Sequence, residues 1–418
     1  MFYLSSTRSY PRPFQRLDIR SPSFQRVRLL DLVLWSLSLY VTTLFASPLH
    51  AVAASLLVGP QSPHLSIQQA ARMAKDGDTV EVLPGDYRGG VAVWAQKELT
   101  IRGVGNRPVF FGDGRSAEGK AIWIVRGGDI TIQNIEFRGA RVADGNGAGI
   151  RFERGRLTVR DCVFLDNETG ILTANRKGLE LKVEDSEFAM APRHAGLLHH
   201  LLYVGAIDKF TVSGSRFHNG FRGHLIKSRA RENRIAYNLI HDIGEGSASY
   251  ELEFPNGGLA FVIGNVIGQS ARTENSALIA YGAEGNAWPD NALYLAHNTL
   301  INERAGANWF LRVWAQKLPA NTMVHAVNNL LVGSGNFSSD TPGRFDGNVT
   351  ASTTLSRGLR AANYRPPPNS PLRGVGVNPG QQRGHPLSPS AEFAWPIGTH
   401  TLPQLTTWTP GAFQPVAD

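Results

Sequence analysis

The sequence predicts an all-β protein built as a solenoid of stacked coils. Short apolar strands recur along the chain, and each of them ends at a small polar or glycine corner. A second apolar strand precedes each corner by about ten residues, as expected for repeated coils. The corners, which follow one another at steps of 24 to 33 residues, are Asn134, Asp161, Asp185, Gly214, Asn238, Asn265, Asn298 and Asn328.

Corner chemistry supports the same prediction. Asn, Asp and Gly tolerate the left-handed backbone angles that a tight corner requires. The chain has 44 Gly, 42% hydrophobic and 18% charged residues, which suits a turn-rich folded β protein. An antiparallel sandwich is the alternative, but its turns would not recur at one offset from every strand.

Residues 1–53 have the composition of a secretory leader. Six Arg lie before an apolar run that ends near Ala51-Val52-Ala53, a small-x-small pattern typical of signal-peptidase sites. We expect cleavage after about Ala53 and a periplasmic or extracellular mature protein. The alternative is an uncleaved membrane anchor, although the clean apolar run is short for a span.

The mature region has little excess charge and no thiol chemistry. Residues 54–418 carry 36 Lys and Arg against 32 Asp and Glu, a net charge of +4. This balance is compatible with an acidic polymer, and no basic block indicates nucleic acid. The single cysteine, Cys162, lies in an apolar strand and is predicted to be a buried, inert thiol.

The solenoid is predicted to begin with a helical cap. Ser66 to Ala74 has apolar residues at helical spacing, Asp76-Gly77-Asp78 interrupts it, and strands begin at Thr79. A short helix at this point would cover the open end of the β stack.

With these strands and corners, residues 60–335 resemble the right-handed parallel β-helix family of the pectate-lyase type. The tail motifs Asn363-Tyr364, Asn369-Ser370-Pro371 and 410–415 are similar to the closing segment of that family. We therefore expect a parallel β-helix over residues 54–336 and a Pro/Gly-rich strap over 337–418 that packs against it.

Counting back from the corners places one group of residues together in the middle of the solenoid. The count puts Tyr203, Lys227 and Glu253 on one outward ladder. His200, His224 and Tyr250, each three positions before a ladder residue, should be neighbours as well. Arg229 and Glu251 flank the ladder. The predicted cluster is His200, Tyr203, His224, Lys227, Arg229, Tyr250, Glu251 and Glu253, with Asn256 at its edge.

Such a cluster suits β-elimination in an acidic, uronate-containing polysaccharide. Arg229 could pair with the substrate carboxylate, and Lys227, Tyr203, His200 or His224 could take the proton. Tyr250, Asn256 and Arg229 are predicted to bind substrate. The Glu251-Leu252-Glu253 segment resembles the Glu-x-Glu calcium site of chondroitinase B and alginate lyase type enzymes, which implies a possible Ca²⁺ on Glu251 and Glu253. Here, however, the Lys and Arg precede the acidic pair.

Two other functions fit the same residues. Glu251 and Glu253, about 7 Å apart along a strand, could serve an inverting glycoside hydrolase. A non-catalytic β-helix could also bind acidic sugar without cutting it, and stacked charges can simply solubilise a sheet. We expect a monomer whose mature chain has no membrane span. Weaker candidates for a sugar groove or site are Trp288, Trp309, Trp314, Arg151, Glu153, Arg193 and His194.

Overall fold

The computed structural model describes residues 53–61, 63–194, 198–242, 245–361, 363–367 and 369–415. The predicted leader, residues 1–53, lies outside the described residues except for Ala53. Helices within the described ranges are too short or too polar to cross a lipid bilayer. The fold is the predicted parallel β-helix, in which three long sheets run side by side along the stack.

Each complete coil contributes one strand to each of the three sheets, and the incomplete first and last coils leave the sheets with 12, 11 and 10 strands. Sheet A consists of β1 (Ser55–Val58), β2 (Thr79–Val82), β5 (Glu98–Gly103), β8 (Asp129–Gln133), β11 (Arg156–Arg160), β14 (Glu180–Glu184), β17 (Lys209–Ser213), β20 (Glu232–Ala236), β23 (Leu259–Ile263), β26 (Ala292–Ala296), β29 (Met323–Val327) and β32 (Gly343–Asp346). Sheet B consists of β3 (Asp86–Arg88), β6 (Val109–Phe111), β9 (Glu136–Arg138), β12 (Val163–Leu165), β15 (Glu187–Ala189), β18 (Arg216–His218), β21 (Leu239–His241), β24 (Val266–Gln269), β27 (Thr299–Asn302), β30 (Leu330–Val332) and β33 (Val349–Thr350). Sheet C consists of β4 (Ala92–Trp94), β7 (Ala121–Val125), β10 (Ala148–Phe152), β13 (Thr169–Thr173), β16 (Leu202–Val204), β19 (Ile226–Ser228), β22 (Leu252–Phe254), β25 (Ala277–Tyr281), β28 (Trp309–Val313) and β31 (Asn336–Phe337).

The interior is filled by stacked side chains of like shape. Phe137, Phe164, Phe188 and Phe217 occupy one position in four successive coils, with ring centroids 5.2, 4.5 and 4.8 Å apart. All four are buried. Parallel strands about 4.8 Å apart bring identical positions into contact, so offset-stacked rings repeat along the axis and fix the register.

Three predicted corners are wrong by one residue. The left-handed residues are Tyr237 (φ 59°), Gly264 (φ 66°) and His297 (φ 54°), each one position before the predicted asparagine. Register places them on the same row as Gly214 and Asn328, which were predicted correctly.

The asparagines that follow these corners point inward and form a ladder. In each, the side-chain oxygen accepts from the backbone N–H one coil earlier, at 2.9 to 3.0 Å for Asn238, Asn265 and Asn298. Their amides also bond to one another, at 2.9 to 3.0 Å. A buried amide supplies both a donor and an acceptor, which is why asparagine is used here although the left-handed angle falls on its neighbour.

A helix lies at the start of the solenoid, and an irregular segment follows its last coil. Helix α1 (Ile67–Met73) begins with a capping box between Ser66 and Gln69 and buries Ile67 at the first coils. Stacked strands continue to Thr350, past the predicted boundary at residue 336. The mostly irregular chain beyond includes helix α2 (Thr353–Ala361) and two hairpins, β34 (Gln381–Gln382) with β35 (His385–Pro386) and β36 (Ala391–Phe393) with β37 (Thr399–Thr401).

This C-terminal segment packs on the solenoid through an apolar cluster of its own. Phe393 and Phe413 lie in one buried cluster with Leu239, Val266 and Leu330 of sheet B. The segment therefore covers part of sheet B, and sheet C carries the candidate site.

Candidate active site on sheet C

Three strands in the middle of sheet C form the predicted ladder. In β16, β19 and β22, Tyr203 is paired with Lys227 and Lys227 with Glu253. The preceding residues of the three strands point inward and are fully buried. These pairings are the ones predicted from the sequence. The corner was predicted one residue too late at Asn238, but the connection after β19 is one residue shorter than the one after β16, so the two differences cancel.

His200, His224 and Tyr250 form a second row beside the ladder. The His200 and His224 ring centroids are 4.7 Å apart, and those of His224 and Tyr250 are 5.0 Å apart. His200 Nδ1 accepts from the His224 backbone N–H at 2.8 Å, and His224 Nδ1 accepts from the Tyr250 backbone N–H at 3.2 Å. A neutral imidazole that accepts at Nδ1 carries its proton on Nε2.

Both histidines are held in the neutral form. Burial, followed by the neighbouring His224 and Lys227, lowers the pKa of His200 well below its ordinary value. Burial also lowers the pKa of His224, although Glu253 acts in the opposite direction. Neither ring therefore has a free nitrogen lone pair with which to accept a proton from substrate.

Glu253 contacts one residue of each row, Lys227 of the ladder and His224 of the second row. Its Oε2 lies 3.0 Å from His224 Nε2 and 3.1 Å from Lys227 Nζ, and the residue is almost completely buried. Burial alone would raise the pKa of Glu253, but the His224 and Lys227 contacts outweigh it and leave the pKa below its ordinary value. A buried anion in this position fixes the direction in which the Lys227 ammonium points.

Arg229 is the centre of the exposed part of the site. Its Nε donates to the Tyr203 hydroxyl oxygen at 3.0 Å, and its Nη1 donates to Asn256 Oδ1. The two Nη atoms donate to the Glu284 carboxylate at 2.6 and 3.0 Å. Lys227 Nζ lies 3.1 Å from the same carboxylate. One carboxylate is therefore held by two cations at the mouth of the site.

Glu284 was not among the predicted site residues. It lies in the loop between β25 and β26, where its backbone N–H donates to Pro255 O at 2.8 Å and the neighbouring Gly282 has φ 78°. The carboxylate is 44% exposed. A lone acid between Gly282 and Gly285, in a stretch that interrupts the strand pattern, was the signal available in the sequence.

The prediction that Glu251 lies on the outward face beside Glu253 is wrong. Glu251 is fully buried and occupies an inward row in which the neighbouring coils have Leu225 and Leu278. It precedes the first residue of β22, so the alternation expected within a strand does not apply to it. Its Oε1 accepts from Thr273 Oγ1 at 3.4 Å, and its Oε2 has no partner within the described residues.

The enclosure of Glu251 shifts its pKa. Burial, with the nearby charge of Asp242, raises the pKa of Glu251 well above its ordinary value. Glu251 and Glu253 have separate surroundings, and the described part of the chain contains no group of three or more His, Cys, Asp or Glu placed to hold a metal ion. The pair therefore does not fit a shared calcium site in this arrangement.

The weaker candidates lie outside this cluster, except for Trp288. Its indole is mostly buried, and Nε1 donates to the Arg229 backbone oxygen at 3.0 Å, so Trp288 helps to fix the backbone at Arg229. Trp309 and Trp314 flank Arg312, at 5.9 and 4.7 Å. Arg193 pairs with Glu245 at the surface, and the neighbouring His194 is exposed.

Comparison with known proteins identifies the type of fold but finds no close relative by sequence. No protein-family profile matches the chain, and no curated protein matches it. The crystal structure of pectate lyase Pel9A superposes with a TM-score of 0.56 at 12% identity, covering 87% of this chain and 97% of that one. The A-module of the Azotobacter vinelandii mannuronan C-5 epimerase AlgE6 is also matched, at 14% identity, with 68% and 93% coverage. Its TM-score of 0.28 is too low to support an argument. The chain thus has a parallel β-helix fold of the pectate-lyase type.

Proposed function

We propose that the protein cleaves an acidic, uronate-containing polysaccharide by β-elimination. One observation carries this proposal: Arg229 and Lys227 together already hold a carboxylate, that of Glu284. A uronate carboxylate has the same shape and charge and can take the place of Glu284 when the polymer binds. Similarity to a pectate lyase fold is compatible with a polysaccharide substrate but does not identify one.

In this mechanism Arg229 and Lys227 neutralise the substrate carboxylate. Withdrawing its negative charge makes the adjacent carbon-bound proton acidic and stabilises the anion that forms when the proton leaves. Two cations in a partly buried site do this without a metal, and no step requires Glu251. Asn256, which accepts from Arg229, orients the guanidinium.

Tyr203 is the best candidate for the base. His200 and His224 carry their protons on Nε2 and use Nδ1 for backbone hydrogen bonds. Lys227 is engaged by two carboxylates as an ammonium ion. The Tyr203 oxygen instead accepts from Arg229 Nε at 3.0 Å, so Arg229 fixes the position of an oxygen that can take a proton.

The proposed reaction conserves atoms and electrons. The Tyr203 phenolate takes the proton on the carbon next to the neutralised carboxylate. The electron pair of that C–H bond forms a carbon–carbon double bond as the bond to the glycosidic oxygen breaks. Lys227 donates a proton to the departing oxygen, and solvent restores both side chains.

The hydrolase alternative is disfavoured by burial. An inverting hydrolase needs both carboxylates to reach the glycosidic bond from opposite sides. Glu251 is enclosed in the interior, and Glu253 is occupied by His224 and Lys227. A binding protein without catalysis remains the competing function and is resolved by the assay below.

The proposed function is tested on alginate, pectate and glycosaminoglycans. Elimination creates an unsaturated uronate with a characteristic ultraviolet absorbance, so absorbance should rise with at least one polymer, with or without EDTA. New reducing ends without absorbance would indicate hydrolysis, and retention of polymer with neither signal would indicate binding only. Loss of the absorbance in EDTA would show that a metal ion takes part.

We also propose that the mature chain works outside the cytoplasm, where such polymers are found. The leader composition of residues 1–53 supports this. Cell fractionation followed by N-terminal sequencing should recover a chain beginning near residue 54. A full-length cytoplasmic chain would contradict it.

A further inference from the structure

A cavity lies on the same face of sheet C as the candidate site. It has a volume of about 310 Å³ and is lined in part by Arg151, Leu172, Asn175 and Tyr203. Tyr203 also belongs to the site described above, so the cavity continues that site along the solenoid axis.

Register places Arg151 on the same outward row as Lys227. Arg151 in β10 is paired with Leu172 in β13, Leu172 with Tyr203, and Tyr203 with Lys227. Three coil-to-coil steps of about 4.8 Å separate Arg151 from Lys227, so the two positions are about 14 Å apart along the axis. The row therefore runs cation, apolar residue, aromatic residue, cation.

The charge of Arg151 is poorly compensated by the protein. Its Nε is buried and has no hydrogen-bond acceptor in the described part of the chain. Glu153 Oε1 lies 3.9 Å from that nitrogen, beyond hydrogen-bond distance. Glu153 instead forms closer ion pairs with Lys120 and Arg126, at 2.9 and 2.8 Å.

Desolvation of the same side chain supports this picture. The Arg151 side chain is 24% exposed. Burial lowers the pKa of Arg151, and the carboxylates of Glu153 and Asp144 offset this only in part. Arg151 lines the cavity with a half-buried guanidinium whose Nε lacks an acceptor, which suits this side chain to binding an anionic ligand.

We propose that Arg151 forms a second anion subsite, which binds another acidic group of the polymer whose uronate is held by Arg229 and Lys227. This subsite rests on the proposed function of the sheet C site. Leu172 lies between the two cationic positions and offers an apolar surface to a sugar ring. The requirement is specific: the ligand must carry acidic groups about 14 Å apart.

The test is a length series of oligouronates, with affinity measured by calorimetry on the mature chain. Wild type should bind oligomers that span both positions at least about tenfold more tightly than the disaccharide. Arg151→Gln should remove this gain and leave disaccharide affinity unchanged, and Arg151→Lys should restore part of it. Arg156→Ala, in the same coil but on sheet A, should behave as wild type.

The outcomes separate this inference from the proposed function. Length-dependent affinity that Arg151→Gln does not change would overturn the subsite and leave the β-elimination proposal untouched. Equal weakening of disaccharide binding and long-oligomer binding by Arg151→Gln would also overturn the subsite, since only an occupied subsite gives a length-dependent loss of affinity. If no oligouronate binds wild type at all, both proposals fail together. Thermal melting of each variant shows whether it is folded.

Discussion

Arg229 and Glu284, which are 55 residues apart in sequence, form a bidentate ion pair with Nη1–Oε2 and Nη2–Oε1 distances of 2.6 and 3.0 Å. Parallel N–H groups that meet both oxygens of one carboxylate are the geometry by which arginine recognises acidic ligands. The protein therefore contains an internal example of the contact proposed for its substrate, and the first two predictions test this relationship.

Removing either cation of the carboxylate site should abolish most of the activity. Arg229→Ala and Lys227→Ala should each lower kcat/KM on the responsive polymer by about 100-fold or more, because the developing negative charge loses a stabilising partner. Initial rates from the ultraviolet absorbance check this. Arg231→Ala, whose arginine lies near Asp208 away from the site, should keep full activity. Full activity in both site variants would refute the site assignment.

Neutralising Glu284 should improve substrate binding. Because its carboxylate occupies the position proposed for the uronate, Glu284→Gln should lower KM by about threefold or more, with little change in kcat. Asp290→Asn serves as the control, since Asp290 lies in the same loop and pairs with Arg383 instead. A fall in kcat at unchanged KM would mean that Glu284 positions the cations and does not compete with substrate.

Tyr203→Phe should separate catalysis from binding. The variant keeps the aromatic ring beside Lys227 and Arg229 but loses the oxygen that takes the proton. We expect kcat to fall by about 100-fold or more, while affinity for oligouronates measured by calorimetry changes little. Retention of wild-type kcat would show that another group acts as the base.

Replacing Glu251 by leucine should stabilise the fold, and more so at high pH. Because the folded-state pKa of Glu251 is raised, the folded chain binds this proton more tightly than the unfolded chain, and the stability difference grows as pH rises above the ordinary value of 4.5. Each unit of pKa displacement corresponds to about 1.4 kcal/mol of unfolding free energy.

The measurement compares thermal midpoints of Glu251→Leu and wild type at about pH 5 and about pH 8. The gain should be larger at the higher pH, and Glu251→Gln, which keeps the shape but cannot ionise, should show the same trend. Equal changes in stability at both pH values would show that Glu251 does not titrate between them.

The coil repeat and most of the site were predictable from local information. Corner residues, strand lengths and a constant offset are sufficient to align neighbouring coils, so Tyr203 was correctly paired with Lys227 and Lys227 with Glu253. Three asparagine corners were predicted one residue too late because a buried amide ladder and a left-handed corner both favour asparagine. Sequence spacing alone does not distinguish these two uses.

Two features of the site depended on loop conformation. Glu251 was predicted to share a face with Glu253, but the chain bends before β22 and turns Glu251 inward among leucines. Glu284 comes from the loop after β25, two coils beyond Arg229, and returns over the face to reach Arg229. Its position depends on backbone hydrogen bonds to Pro255 and on a left-handed glycine.

The sequence by itself determined the solenoid and the order in which side chains stack along it, because the period of the coils and the alternation within strands are local properties of the chain. Only the tertiary structure decided which carboxylates face the cations. Loops between strands have no period, and the path of each one is set by packing and hydrogen bonds to coils distant in sequence. The tertiary structure thus enclosed Glu251 and brought Glu284 to Arg229.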